Sequence, residues 1–446
     1  MDTGQHQHTV QGWGRFPVIK ASILAPRDEP EASALLRREQ GFNGISRGQG
    51  RSYGDSALAS ALIQSTYLDQ FLAFDHDTGR LRCGSGITLG TILQTLLPRG
   101  WFLPVVPGTQ FVSVGGAIAC DVHGKNHHRD GSFCDYLLSL SLLLPGGEIL
   151  DCSPTQHPDI FHATCSGMGL TGVILEATLQ MTKVSGGLIE QRISRAGNLQ
   201  ASFELIEANS SAHYSVAWLD CMARGAQRGR SVLFTGEHIT SEPSSKPEIR
   251  IRKYPALSVP FSLPSLLLNR YSIELFNRLY YARAGSITAS QSIDYQQYFF
   301  PLDGIGHWNR LYGRKGFVQY QFVMPEDSAL AGMTAVLKKI NAAGKGSFLS
   351  VLKKMGPANN NLLSFPMAGY TLALDFKFEQ QLLPLLDTLD AIVLDHGGRI
   401  YLAKDARMSS STFKKSYPAW QQLDSLRERL GAKSVFNSMQ SQRLGL

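Results

Sequence analysis

Apolar residues recur in two periods along the chain. Leu89, Ile92, Leu93, Leu96 and Leu97 share one face of a helix predicted over 88–97, which Gly100 ends. Short apolar runs at Leu62-Ile63, Leu81-Arg82-Cys83, 140–144 and 172–181 are bounded by turn residues and predict strands. The first 185 or so residues thus read as an α+β domain. From about residue 186 the pattern changes. Strands are predicted at 189–193 and 214–219, with a helix at 199–208. An alternating run, Phe317-Val318-Gln319-Tyr320-Gln321-Phe322, predicts a strand over 317–324. Met333, Val336, Leu337 and Ile340 mark an amphipathic helix over 330–342; a strand at 370–376 and a helix at 379–396, stopped by Gly397-Gly398, follow. Residues 223–255 are polar, basic and rich in serine and proline, and read as a long surface loop. The apolar, aromatic stretch 256–282 leaves two readings open: a cover over the second domain, or a contact with a membrane surface.

Composition narrows the class. The 446 residues, 43% hydrophobic and 18% charged, indicate a globular chain of more than one domain. Lys+Arg 43 against Asp+Glu 36 gives a formal charge of +7, which favours anionic partners. No long basic run concentrates that charge, so nucleic acid is not an expected partner. The cysteines at 83, 120, 134, 152, 165 and 221 form no C-x-x-C pair and no zinc frame, so no metal site is expected. They read as reduced thiols, with a Cys120–Cys134 pair open only under oxidation. The N-terminus lacks the pattern of a secretory signal, and no apolar run nears the roughly 18 residues of a spanning helix. A cytoplasmic protein, at most peripheral to a membrane, is expected.

The candidate chemistry lies in glycine loops. Arg47-Gly48-Gln49-Gly50-Arg51-Ser52-Tyr53-Gly54-Asp55 offers a backbone able to approach a ligand closely, and successive N–H groups make an anion-binding concavity. Alone it is also compatible with an ordinary loop. Pro107-Gly108-Thr109 precedes Ser113-Val114-Gly115-Gly116-Ala117-Ile118-Ala119. His123-Gly124-Lys125-Asn126-His127-His128 and Gly167-Met168-Gly169-Leu170-Thr171-Gly172-Val173-Ile174 follow. Together these loops suit a long, flat dinucleotide. A Rossmann fingerprint is not the explanation: no G-x-G-x-x-G stands between a strand and a helix with an acid about 20 residues later.

These loops resemble the FAD-binding domain of the vanillyl-alcohol oxidase / p-cresol methylhydroxylase superfamily. More closely, GRSYGD, PVVPGT, VGGAIACDVHGKNHH, GLTGVI, PLDGIGHWNR, GFVQYQFV, LSFPMAGY and YLAKDAR are similar to the decaprenylphosphoryl-β-D-ribose 2′-oxidase family, from about residue 12 to the C-terminus. The resemblance implies a two-subdomain FAD-binding domain over 1–186. It implies a substrate domain over 187–398, with an antiparallel sheet and flanking helices, and a tail over 399–446 that returns to the flavin. The implied activity is FAD-dependent oxidation of the 2′-hydroxyl of a polyprenyl-phospho-β-D-ribose. A separate NAD(P)H-dependent short-chain reductase would complete an epimerisation to the arabinose form in cell-wall arabinan supply. A soluble sugar, alditol or aldonolactone oxidase on the same fold is the rival.

By the same resemblance, FAD contacts fall on the first loop with its neighbours Ser46 and Ser56, and on Gly108, Ser113, Val114, Gly115, Gly116, His123, Gly124, Lys125, Asn126, Ile174 and Tyr401. Many relatives attach the flavin to a histidine in the first loop. Arg51-Ser52-Tyr53 has none, so non-covalent FAD is expected. Lys404 matches the active-site lysine, although beside Asp405 it reads locally as a surface residue. His123 is either a second catalytic residue or a structural histidine. Tyr53, Lys125, Gln319, Gln321, Lys353, Ala373 and Lys404 match substrate-pocket positions. Gln319 and Gln321, two apart on a strand, share a face, which without the resemblance could be an exposed one. Ala373 stands where the mycobacterial relatives carry a cysteine, Thr371 where they carry asparagine, and Phe299-Phe300 where they carry a Tyr-His pair. These changes bear on substrate detail rather than on hydride transfer.

Overall fold

A computed structural model describes residues 7–39, 41–240, 257–264, 266–284 and 290–446. The architecture is mixed α+β. Strands His8–Gln11, Val18–Leu24, Ala61–Gln64 and Ile45–Arg47 lie side by side in that order, the first pair antiparallel and the other two parallel. Phe71–Asp75, Arg80–Gly84, Val173–Gln180, Leu137–Leu143 and Ile149–Cys152 form a second, antiparallel sheet. Helix Leu89–Leu96 starts where Thr88 Oγ1 accepts the Thr91 N–H at 3.1 Å, and it buries Leu89, Ile92, Leu93 and Leu96. All six cysteines are free thiols.

The largest sheet has eight strands. In spatial order they are Gln291–Asp294, Leu188–Ala196, Ser231–His238, Tyr214–Leu219, Ser350–Met355, Gly369–Lys377, Phe317–Pro325 and Arg399–Ile400. Helices Leu199–Ala208, Glu326–Ala343 and Leu382–Asp395 pack on it. Tyr320 turns to the helical side, its hydroxyl donating to Asp390 Oδ1 at 3.0 Å. Gln319 and Gln321, of opposite parity, therefore face the other way, toward the glycine loops.

One strand corrects the expected loop over 223–255. Ser231–His238 pairs along its length with both neighbours and buries Val232 and Leu233. A strand covered on both faces has no alternation to reveal it, and Arg228-Gly229-Arg230 before it reads as loop. Residues 241–255 of that stretch lie outside the described residues.

The 257–284 stretch is divided. Helix Arg270–Ala284 buries Ile273, Asn277 and Ala284 against strands of the large sheet. Leu266 is 83% exposed and Tyr271 77%, and Leu257, Phe261, Leu275 and Leu279 are exposed with them. The stretch thus covers part of the large sheet and leaves a run of apolar side chains exposed.

The C-terminal helices Ser410–Ser416, Trp420–Arg429 and Met439–Leu444 lead the chain back to the glycine loops. Asn437 N donates to Gly44 O at 2.7 Å and Tyr53 N to Ala403 O at 3.1 Å.

Candidate active site

The four glycine loops meet. Gly48 lies against Ser113, whose Oγ leaves no room for a Cβ at 48. Ser113 Oγ accepts the Gly116 N–H at 3.4 Å at the start of helix Val114–Ala119, and Gly115 N donates to Ser85 O at 2.8 Å. The fourth loop joins the same helix: Ser166 N reaches Ile118 O at 3.0 Å and Met168 N reaches Ala119 O at 2.9 Å. Ile174 is buried on the strand that follows. Gly54 presses on the Asp405 carbonyl so closely that any side chain would displace one of the two segments.

Several first-loop side chains are already engaged. Arg47 donates to Ala57 O at 3.0 Å and Gln11 O at 2.7 Å, so its guanidinium braces the loop. Asp55 accepts from Arg443 at 2.8 and 3.1 Å. What these residues can offer a ligand is backbone. Arg51 stacks over Trp13 at 4.3 Å and Phe111 at 5.0 Å, leaving its Nε buried without a partner.

That orphan has company. Ser52 Oγ, Ser85 Oγ, Gln110 Oε1, His123 Nδ1 and Asn126 Oδ1 are also buried without a hydrogen-bond partner. Native proteins leave few such groups. Others are scattered elsewhere among the described residues, but this group lies on the glycine loops and the turns packed against them. Gly108 faces open space at the same place.

The opposite wall is the large sheet. The register aligns Gln319 with Asp375, Gln321 with Ala373, and Thr371 with Lys353. Gln321 Nε2 lies 3.2 Å from both His123 Nε2 and Thr371 Oγ1. Phe365 and Tyr401 stack on each other with ring centres 4.5 Å apart, His123 packs beside both, and Tyr401 donates to Cys120 O at 3.2 Å. Burial, then the Lys353, His127 and Lys404 charges, drive the His123 pKa well below the usual histidine value, so its imidazole is neutral.

Three half-buried lysines converge here. Lys404 Nζ stands 3.9 Å from the centre of the Tyr53 ring. Lys353 Nζ donates to Gly124 O at 3.3 Å. Lys125 Nζ donates to Tyr298 O and lies 4.1 Å from the Tyr298 ring centre. Burial lowers Lys404 to about 8, opposed by Asp375 and Cys120. Burial, then the nearest lysine charge, lowers Lys125 and Lys353 to about 7 each. Such a cluster repels itself and suits a bound anion.

Three site-facing residues escape the sequence reading. Asp375 shares the parity of Thr371 and Ala373; a carboxylate on the strand Gly369–Lys377 was the available signal. Gly84-Ser85-Gly86 is a further small-residue turn, and Gln110 follows Pro107-Gly108-Thr109. Their orphaned side chains emerge only once the loops are folded together.

A family described as FAD binding domain matches residues 21–153. The chain is 35% identical to the decaprenylphosphoryl-β-D-ribose oxidase of Mycolicibacterium smegmatis, covering 98% of this chain and 97% of that protein. It is 33% identical to an uncharacterized protein of Streptomyces coelicolor, over 81% of this chain and all of the relative. A D-arabinono-1,4-lactone oxidase of Eremothecium gossypii is 27% identical over 54% of this chain and 45% of its own length.

Proposed function

The chain belongs to the decaprenylphosphoryl-β-D-ribose oxidase family of FAD-dependent oxidoreductases, and from that premise we propose that it oxidises the 2′-hydroxyl of a polyprenyl-phospho-β-D-ribose to the 2-keto sugar. The observation that carries this reading is the cluster of Lys404, Lys353 and Lys125 between the glycine loops and the large sheet. We assign residues 1–186 to the flavin, 187–398 to the substrate, and 399–446 to the tail that carries Lys404.

The orphaned atoms fit FAD. Arg51, Ser52, Ser85, Gln110 and Asn126 would satisfy their unpaired groups on the coenzyme, and the backbone around Gly48, Gly108 and Gly116 would let it approach. Bound FAD supplies the acceptor for the hydride leaving C2′. Lys404, lowered to about 8, is neutral in an appreciable fraction near neutral pH and accepts the hydroxyl proton. Lys125 and Lys353 meet the substrate phosphate. Neutral His123 and Gln321 form one hydrogen-bonding wall for the sugar, and Gln319 serves another.

Two experiments test this reading. Purified protein is expected to be yellow, and denaturation should release FAD into the supernatant because no histidine stands in Arg51-Ser52-Tyr53. Colour that stays with the precipitate would mean a covalent link. Under anaerobic conditions, a polyprenyl-phospho-ribose should bleach the flavin while free sugars, alditols and aldonolactones should not. The reverse pattern would assign the chain to soluble sugar oxidation.

A lipid-linked substrate gives the exposed apolar strip a role. No helix among the described residues is long and apolar enough to cross a membrane. Leu257, Phe261, Leu266, Leu267, Tyr271, Leu275 and Leu279 instead suit contact with a bilayer surface, and Arg270, Arg278 and Arg283 against Glu274 favour anionic lipid. Flotation with phosphatidylglycerol vesicles is expected, and Leu266→Ser with Leu275→Ser should weaken it several-fold. Flotation unchanged by both substitutions would place any contact elsewhere. The keto product requires a second, reducing enzyme to yield arabinose. The separate NAD(P)H-dependent short-chain reductase is that partner.

A further inference from the structure

Lys404 has a buried carboxylate in its electrostatic field. Asp375 is 1% exposed. Its Oδ1 accepts from Gln319 Nε2 at 2.5 Å, and its Oδ2 accepts from the Tyr312 hydroxyl at 3.4 Å. Tyr312 stacks on Phe317, and Phe317 packs edge-on against Tyr53, the residue whose ring Lys404 covers. The backbone beneath is fixed as well: Asp375 N donates to Ser347 Oγ at 3.1 Å. The carboxylate is thus aimed from the sheet face that carries Ala373 and Thr371, and two side chains hold it there. Burying a carboxylate is costly. Neither Gln319 nor Tyr312 neutralises it; the charge set against it is Lys404.

We infer that Asp375 is a positioning residue of the reaction: its carboxylate, held by Gln319 and Tyr312, balances the ammonium that Lys404 becomes on taking the hydroxyl proton. The inference rests on the proposed role of Lys404 as proton acceptor. In the oxidation the C2′–H bond breaks and its electron pair leaves as hydride to the flavin. The O–H bond breaks and its proton passes to the Lys404 amine, and C2′=O forms. Asp375 exchanges no atom. It makes the amine a stronger base in a site where burial makes it a weaker one.

The titratable and charged groups around the pair are few. Lys404 faces Asp375, Cys120, Tyr53, Lys353 and His123; Asp375 faces Lys404, Tyr53 and Tyr312. Burial pushes Cys120 up to about 12 and drives Tyr53 and Tyr312 well above the usual tyrosine value, so these stay uncharged, and His123 is neutral. Asp375 raises the Lys404 pKa, and removing its charge lowers it. Flavin reduction rises with pH as Lys404 loses its proton. The acidic limb of that profile therefore moves to lower pH when the carboxylate is lost, while the plateau falls because the amine is a weaker base.

Asp375→Asn keeps an acceptor for Gln319 and removes only the charge. The experiment is anaerobic stopped-flow reduction of the holoenzyme by a short-chain polyprenyl-phospho-ribose across pH. The expected result is a plateau lower by about 10–100-fold and a limb about one pH unit lower. Asp375→Glu should return the limb toward its original position. The non-oxidisable 2′-deoxy analogue, followed by its perturbation of the flavin spectrum, should bind the Asn variant as it binds the parent. An unchanged profile overturns the inference, as does a lower plateau without a moved limb. Loss of flavin from both variants also overturns it, since the residue would then be a packing element. Failure of the parent enzyme to bleach takes down the substrate reading as well, which separates the two cases.

Discussion

Lys404→Met is expected to slow anaerobic flavin reduction by about 10²–10⁴-fold, the range for removing a positioned acid–base group, while the protein stays yellow. The contacts that would grip FAD come from the glycine loops, whereas Lys404 Nζ lies over the Tyr53 ring. Stability should not fall with the activity. Burial holds the folded Lys404 near 8, below its ordinary value of 10.5, so below pH 8 the folded state carries an ammonium it disfavours. Methionine removes that burden, and the denaturation midpoint near pH 7 should hold or rise. Asp375, which Lys404 keeps from rising further than about 7, would then take up a proton more readily. Stopped-flow absorbance of the flavin and a denaturant titration measure the two effects separately. Bleaching at the parent rate would remove Lys404 from the chemistry; a colourless variant would make it part of the coenzyme site instead.

The elements that were legible in the sequence have local causes. The helix Leu89–Leu96 follows from its spacing and from Thr88 as cap; Phe317–Pro325 follows from alternation, which also put Gln319 and Gln321 on one face. The glycine loops were legible because approach between backbones excludes other residues, as at Gly48 and Gly54. What was not legible depends on partners far away. Ser231–His238 is a strand because it is covered on both faces, a property of its neighbours. Asp375 gains meaning only when Gln319 and Tyr312, separated from it by 56 and 63 positions, arrive beside it. Arg47 and Asp55 look like ligand contacts in a glycine loop, yet Gln11, Ala57 and Arg443 claim their side chains. The exposed strip around Leu266 and Tyr271 could be read two ways because hydrophobicity alone does not tell a buried face from an uncovered one.

Arg443→Met is expected to destabilise the fold by about 3–5 kcal/mol, the cost of stranding buried charge, and to weaken FAD retention at the same time. Arg443 joins two carboxylates that are almost fully buried. It reaches Asp55 Oδ1 at 2.8 Å and Asp405 Oδ2 at 2.9 Å, and it also donates to the Met408 carbonyl. Asp55 closes the first glycine loop, and Asp405 follows Lys404. One guanidinium on the last helix thus ties the first glycine loop to the segment that carries Lys404, the proposed proton acceptor. Without it, two like charges face each other in a poorly solvated place, and burial already pushes Asp55 upward. The loop and the tail should separate there, loosening both FAD and Lys404. Arg443→Lys should recover only part of the loss, since an ammonium lacks the planar fork that serves two carboxylates at once. Adding Asp55→Asn and Asp405→Asn to Arg443→Met should recover more, because the penalty lies in the stranded charges and not in the missing contact. Denaturant midpoints and FAD dissociation constants across the four proteins test this. If Arg443→Met matches the parent in both, the tail is held by its backbone bonds to Gly44 and Tyr53, and the ion pairs contribute little.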